Sequence, residues 1–195
     1  MEKKPDGRRV RMTKLLLKDS LIELMKEKSI HQVSIKEICE GADINRSTFY
    51  RHYDTQYDLY DDIIEDIAAD FEVIYKQCAD EGFNTVCFLT NIFEYIERNR
   101  EKFLVVLSDK SNIGMGEAYT KITARFINAE YISELGTYIV QFISAGMTSI
   151  LWTWLNKEER RSAKEVAMLF HTIMMHGLKR AIDFSTNTGK NNKTQ

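Results

Sequence analysis

Within the seven positions from Arg46 to His52, six side chains can hydrogen-bond: Arg46, Ser47, Thr48, Tyr50, Arg51 and His52. Only Phe49 interrupts them. The set lacks an acid–base pair beside a nucleophile, so it is not built to make or break bonds. It is suited to reading a polyanion. An arginine can grip guanine O6 and N7 with two bonds, and a serine or threonine hydroxyl can pair with either base edge. Tyr50 and His52 suit phosphate oxygens, contacts that set register without carrying sequence. A dozen residues upstream, Ser34 and Lys36 open a second segment whose helix N-terminus can approach the same backbone.

Such side chains read DNA only if short helices hold them in a groove, and the flanking residues predict those helices. Arg8 to Lys28 is amphipathic, with Leu17, Leu21, Leu24 and Met25 at helical spacing. Ser34 with Glu37 three residues later reads as a capping box opening a short helix, with Ile35, Ile38 and Cys39 inward. Asp43 stands where the chain must turn tightly, and aspartate tolerates the left-handed region. Asn45 is a good N-cap for a third helix, Arg46 to Tyr53, with Phe49 and Tyr53 facing the core beside Ile44. Thr55 and Asp58 open a fourth, long helix toward Ala79. Two short helices joined by a tight turn inside a three-helix unit make the helix-turn-helix layout.

The run VSIKEICEGADINRSTFYRHYDTQYDL resembles the helix-turn-helix signature of the tetracycline-repressor (TetR) family. The core of the likeness is Thr48 to Tyr53 after the turn Ala42-Asp43-Ile44. The resemblance covers about the first third of the chain. It implies that Tyr50 and His52 clamp phosphate and that Lys36, Arg46, Ser47 and Thr48 reach bases. It also implies three departures. Asp43 replaces the turn glycine, and Ser29 replaces a glycine common after the first helix. Gln56, preceded by Asp54, replaces the lysine usual at the start of the fourth helix, which weakens one phosphate contact and lowers the expected affinity and salt slope.

The rest of the chain bounds these expectations. The 195 residues are 44% apolar and 29% charged, with one proline and no alternating strand pattern, which predicts an all-α protein. An N-terminal helix-turn-helix head (1–54) is expected, then a helical ligand-binding and dimerisation body (55–184) and a disordered tail (185–195). Net charge is +4 over residues 1–53 and −6 over 54–195, a basic head on an acidic body. No apolar run reaches membrane-spanning length, and the N-terminus lacks a secretory pattern. Cys39, Cys78 and Cys87 have no metal spacing and fit a reducing cytoplasm. Cys78 and Cys87 could serve redox sensing, but buried inert thiols are the expectation.

Beyond Gly82, helices are expected at Asn84–Glu97, with Val86, Leu89, Phe93 and Ile96 on one face, and at Arg100–Ser108. A loop at Lys110–Gly116 follows, then helices near Glu117–Asn128 and Glu130–Asn156. Ser162 and Glu165 cap a last helix ending near Phe184. Phe71, Tyr75, Cys78, Phe88, Phe103, Phe126 and Met147 are candidate lining residues of an apolar effector pocket. A single head reads too few base pairs, so a two-fold dimer on a roughly palindromic operator is expected. Phe142, Gly146, Ser149 and Ile150 on one helix, with Leu169, Ile173, Met174 and Gly177 on the next, are its candidate interface. The resemblance implies that these last two helices form a four-helix contact. The expectation is a homodimeric regulator, acting as a repressor, that binds double-stranded operator DNA and is released by a small-molecule effector. No enzymatic activity, cofactor, metal or membrane partner is expected. A family member controlled by a partner protein, and an enzyme carrying a helix-turn-helix, are the rivals.

Overall fold

The computed structural model describes residues 7–108, 134–174 and 177. Among these, the regular elements are all helical: α1 (Arg8–Glu27), α2 (Ile35–Gly41), α3 (Arg46–Phe49), α4 (Gln56–Asp80), α5 (Thr85–Arg98), α6 (Arg100–Ser108), α7 (Glu134–Leu155) and α8 (163–174). The described chain falls into two compact units, one built on residues 7–67 and the other on 68–107 with 134–174. No helix among the described residues is long and apolar enough to cross a membrane.

In the first unit, α1 buries Leu17, Leu21 and Met25, a single stripe at helical spacing. The helix stops at Glu27, and Ser29 with Gln32 forms a reciprocal box that opens a 3-10 turn, Ile30–Gln32. That turn makes the bend for which Ser29 replaces a glycine. The Ser34 box forms as the spacing predicts. The Glu37 N–H donates to Ser34 Oγ at 3.3 Å, and the Ser34 N–H donates to Glu37 Oε2 at 2.9 Å. After α2 the chain turns through Asp43 at φ 53°, and the Ile44 N–H closes on the Cys39 carbonyl at 2.9 Å. Ile38 and Phe49 are fully enclosed, with Cys39 and Tyr53 nearly so. On α4, Leu59, Ile63 and Ile67 complete this core.

Two close contacts in this unit lie beyond what periodicity predicts. Ser20 is buried on α1 and donates its hydroxyl to the Ile38 carbonyl at 2.9 Å. An added Cβ on Gly41 would lie 2.5 Å from Ser20 Oγ, so α2 approaches α1 this closely because residue 41 has no side chain.

The second unit has its own core. Phe93 of α5 is fully buried, its ring 5.6 Å from that of Trp154 on α7 and 6.2 Å from that of Phe170 on α8. Burying one such ring contributes about 1.5–3 kcal/mol. Asn84 caps α5 through Val86 N–H and Cys87 N–H, and Ser162 with Glu165 forms the expected box before α8. Arg100 Nε donates to the last carbonyl of α7, Leu155, at 2.8 Å, and Trp154 Nε1 donates to Arg161 O at 2.7 Å. The expected loop at 110–116, the helix near 117–128, the last helix's end near Phe184 and the tail lie outside the described residues.

Candidate nucleic-acid interface

The recognition segment is built on a short helix whose inner side is fixed twice. Phe49 and Tyr53 are buried, their ring centroids 5.7 Å apart. The Tyr53 hydroxyl also donates to Asp62 Oδ2 on α4. Lys18 and Lys14 of α1 close on that carboxylate at 3.1 and 3.5 Å, and Lys14 Nζ stands 5.6 Å from the Tyr53 ring centroid. Burial pushes the Asp62 carboxyl up, but the Tyr53 hydroxyl and the two lysines outweigh it and leave it below the usual carboxylate range. Asp62 thus ties α1, α4 and the end of the recognition segment together.

The recognition helix is shorter than its residues predict. Regular α-helix ends at Phe49 rather than Tyr53, because the Arg51 N–H bonds Thr48 O and the His52 N–H bonds Phe49 O, both one residue short of an α-helical step. The chain stays coiled to Tyr53, where the Phe49 and Asp62 contacts hold it.

Arg46, Ser47, Tyr50 and Arg51 are exposed, Tyr50 to 55%, while Thr48, His52 and Gln56 are half-buried. The side-chain oxygen Oδ1 of Asn45 accepts from both the N–H and the hydroxyl of Ser47, at 2.9 and 3.0 Å. Ser47's proton is therefore engaged, and its oxygen is left to accept. Ser34 and Lys36 are exposed on α2, and Lys36 pairs with Glu40 at 3.7 Å. An exposed pair of this kind is worth about 0–1 kcal/mol, so the lysine can exchange it for an anion. Lys36 and Arg46 border one open groove of about 590 Å³ that Cys39, Glu40, Asp43, Ile44 and Asn45 also line.

At the start of α4, Asp58 accepts from the N–H groups of Asp54 and Thr55, which leaves Gln56 as the polar side chain of the first turn in place of a lysine. Nothing in sequence spacing pairs His31 with Tyr57, yet His31 Nδ1 and Tyr57 Oη lie 2.9 Å apart and join the 3-10 turn to α4. Both side chains are exposed. The signal that finds such a pair is three-dimensional.

In the second unit, the candidate pocket residues form two ring clusters. Phe71 stacks on Phe103 at 6.4 Å and meets Tyr95 edge-on, and Tyr75 meets Phe88 at 5.8 Å. Phe83, not foreseen, completes the second cluster. Cys78 and Met147 are buried, and Phe126 lies outside the described residues. Cys87, expected to be buried, is exposed in the first turn of α5. The spacing of α5 carries this signal, because at about 100° per residue Cys87 falls on the far side of the helix from the buried Leu89, Phe93 and Ile96. Of the candidate interface residues, Phe142 is 76% exposed, and Leu169, Ile173, Gly146, Ser149 and Gly177 are exposed. Ile150 and Met174 are half-buried.

Residues 19–63 match the profile of bacterial regulatory proteins, tetR family, and residues 84–176 match that of a transcriptional regulator C-terminal region. An HTH-type transcriptional regulator of Haemophilus influenzae is 24% identical over 184 residues, covering 85% of this chain and 87% of its own. Among solved structures, a TetR transcriptional regulator from Streptococcus agalactiae superposes with a TM-score of 0.61 at 18% identity, over 85% of this chain and 95% of its own. The fatty acid degradation regulator FadR from Bacillus halodurans does so at 0.58 and 14% identity, over 91% and 98%.

Proposed function

The chain belongs to the tetR family of bacterial regulatory proteins, and we propose that this transcriptional regulator is a homodimeric repressor of a roughly palindromic operator. The observation that carries the reading is the recognition segment itself, an exposed row of Arg46, Ser47, Tyr50 and Arg51 over a base locked by Phe49, Tyr53 and Asp62. Arg46 and Lys36, sharing one groove, read base edges. Ser47, its proton held by Asn45, accepts from an adenine or cytosine amino group. Thr48 adds a further base contact. Tyr50, Arg51, His52, Ser34 and Gln56 hold phosphate. With Gln56 in place of a lysine, the grip releases fewer counterions and its salt slope is shallower.

Two heads held in one dimer engage successive major grooves. The exposed apolar residues of α7 and α8 support a contact between two copies through Phe142, Gly146, Leu169 and Ile173. An apolar small molecule lodged among Phe71, Tyr75, Phe88, Phe103, Cys78 and Met147 would favour a dimer whose heads no longer match the grooves, a shift driven by its differential affinity for the two forms.

Operator selection by the full-length protein, followed by affinity measurement across salt concentrations, tests this. Arg46→Ala is expected to relax discrimination at one base pair by about 1–3 kcal/mol, while Tyr50→Phe weakens all sequences alike. Equal affinity of the wild type for selected and random duplexes would overturn the reading.

A further inference from the structure

Cys78 and Cys87 meet across the hairpin that joins α4 to α5. Cys78 lies in the last turn of α4 and is buried; Cys87 lies in the first turn of α5 and is exposed. The connection turns at Gly82, which sits at φ 82°, and α5 begins at its Asn84 cap. Asn91, one turn further along α5, donates its side-chain N–H to Cys78 Sγ at 3.4 Å and stands 3.9 Å from Cys87 Sγ, so one amide bridges both sulfurs. Burial pushes the Cys78 thiol above its ordinary value, the Asn91 amide opposes this, and the neighbouring Cys87 thiol adds to it. The pair is therefore asymmetric, with one accessible sulfur and one sheltered sulfur beside it. No part of the DNA reading uses either.

We propose that Cys78 and Cys87 form a two-thiol modification site that a hydroperoxide converts into an intrachain disulfide. The thiolate of Cys87 attacks one peroxide oxygen, the O–O bond breaks, and hydroxide leaves, giving a sulfenic acid on Cys87. The Cys78 thiol gives its proton to that hydroxide, and its sulfur then displaces the sulfenic oxygen, which leaves as hydroxide and takes up a second proton to become water. Two thiols and one hydrogen peroxide yield one disulfide and two waters, with two electrons passing from sulfur to oxygen. Exposure makes Cys87 the attacking residue, and burial makes Cys78 the resolving one. The product links the last turn of α4 to the first turn of α5. The inference does not depend on the operator or on any effector.

The full-length protein, reduced and then treated with one equivalent of hydrogen peroxide, is alkylated after denaturation and mapped by peptide mass spectrometry. The expected result is a linked pair of peptides carrying Cys78 and Cys87, reversed by dithiothreitol, with Cys39 alkylated as a free thiol. Cys87→Ser, at an exposed position that leaves the fold intact by circular dichroism, is expected to slow oxidation of Cys78 at least about tenfold. Cys78→Ser is expected to leave a sulfenic acid on Cys87 that a cyclic 1,3-dione traps. Should Cys78→Ser fail to fold, Asn91→Ala, which removes the N–H donated to Cys78 Sγ, is expected to slow disulfide formation, and an unchanged or faster rate would overturn the proposed resolving step. A Cys87–Cys87 link between chains, sulfinic acid on Cys87 with Cys78 still free, or no oxidation at all would overturn the proposal.

Discussion

Gly41 and Gly146 show how differently the two units finish their packing. At Gly41 an added Cβ would stand 2.5 Å from Ser20 Oγ, inside a helix pair that closes through the hydrogen bond from Ser20 to Ile38. At Gly146 an added Cβ meets nothing within 4 Å, on a helix that also leaves Phe142 76% exposed. The small residue of the first unit is explained by its own chain, and that of the second is not. The exposed surfaces differ in the same sense. The segment from Arg46 to Arg51 exposes arginine, serine and tyrosine over a braced core, with the exposed aliphatic groups of its unit, Met12, Leu15 and Leu16, kept to α1, whereas α7 and α8 expose phenylalanine, leucine and isoleucine. A unit complete in itself can offer polar groups to a ligand in water; an apolar face left open calls for a second protein surface.

The contrast breaks most visibly if the first unit is not self-sufficient. Phe49→Ala empties a fully enclosed site and is expected to cost about 3–5 kcal/mol, read by denaturant unfolding. Hydrogen exchange should show protection lost across α1 to α3 and kept in α5 and α6. Loss spread evenly over both units would mean that they do not hold separate cores.

The proposed dimer face is sharpened by Gly146→Asp. Within one chain the substitution meets no neighbour, so the helix content is expected to be unchanged. Between two chains it buries a charge, and the dimer dissociation constant is expected to rise by about thirtyfold or more, equivalent to roughly 2 kcal/mol. Sedimentation velocity across a concentration series reads this directly. An unchanged dimer would place the contact elsewhere.

Gly41→Ala probes the other member of the pair. Its methyl group meets a buried hydroxyl that is already donating, so α2 must shift from α1, at about 1–3 kcal/mol. Combining it with Ser20→Ala removes the oxygen and is expected to recover part of that loss. If the two losses simply add in thermal unfolding, the close approach is not what residue 41 is for.

What could be read in advance follows from the range of the interactions. The boxes Ser34–Glu37 and Ser162–Glu165, the Asn45 cap and the left-handed Asp43 are local, and each stands where its spacing predicts. The Asp62 brace reaches from Tyr53, 9 positions away, back to Lys14 on α1, and the His31–Tyr57 contact spans 26, so neither leaves a mark in periodicity. The early end of α3 is local yet not legible in the sequence, because residues 50–53 carry no breaker; the helix tightens through its own backbone bonds. The exposure of Cys87 is legible in α5 itself, since the helical period puts it opposite the stripe of Leu89, Phe93 and Ile96; a cysteine's usual preference for burial is the weaker guide.

The smallest effect tests the most legible feature of the first unit. Ser34→Ala removes the α2 cap and is expected to cost about 1 kcal/mol. The capping carboxylate has a second partner outside its own helix. Lys28, at the end of α1, pairs with Glu37; its hydrogen bond contributes most to holding that carboxyl down at about 2, ahead of the hydroxyl and N–H of Ser34. A carboxyl lower in the folded chain than in the unfolded one contributes stability in full above about pH 4.5, and this fades as the pH falls toward 2. Lys28→Met should therefore raise the Glu37 titration midpoint, followed by carboxyl NMR, more than Ser34→Ala does. The reverse order would mean that the box alone holds the carboxylate, and that α1 and α2 are joined by packing at Ser20 and Gly41 without help from charge.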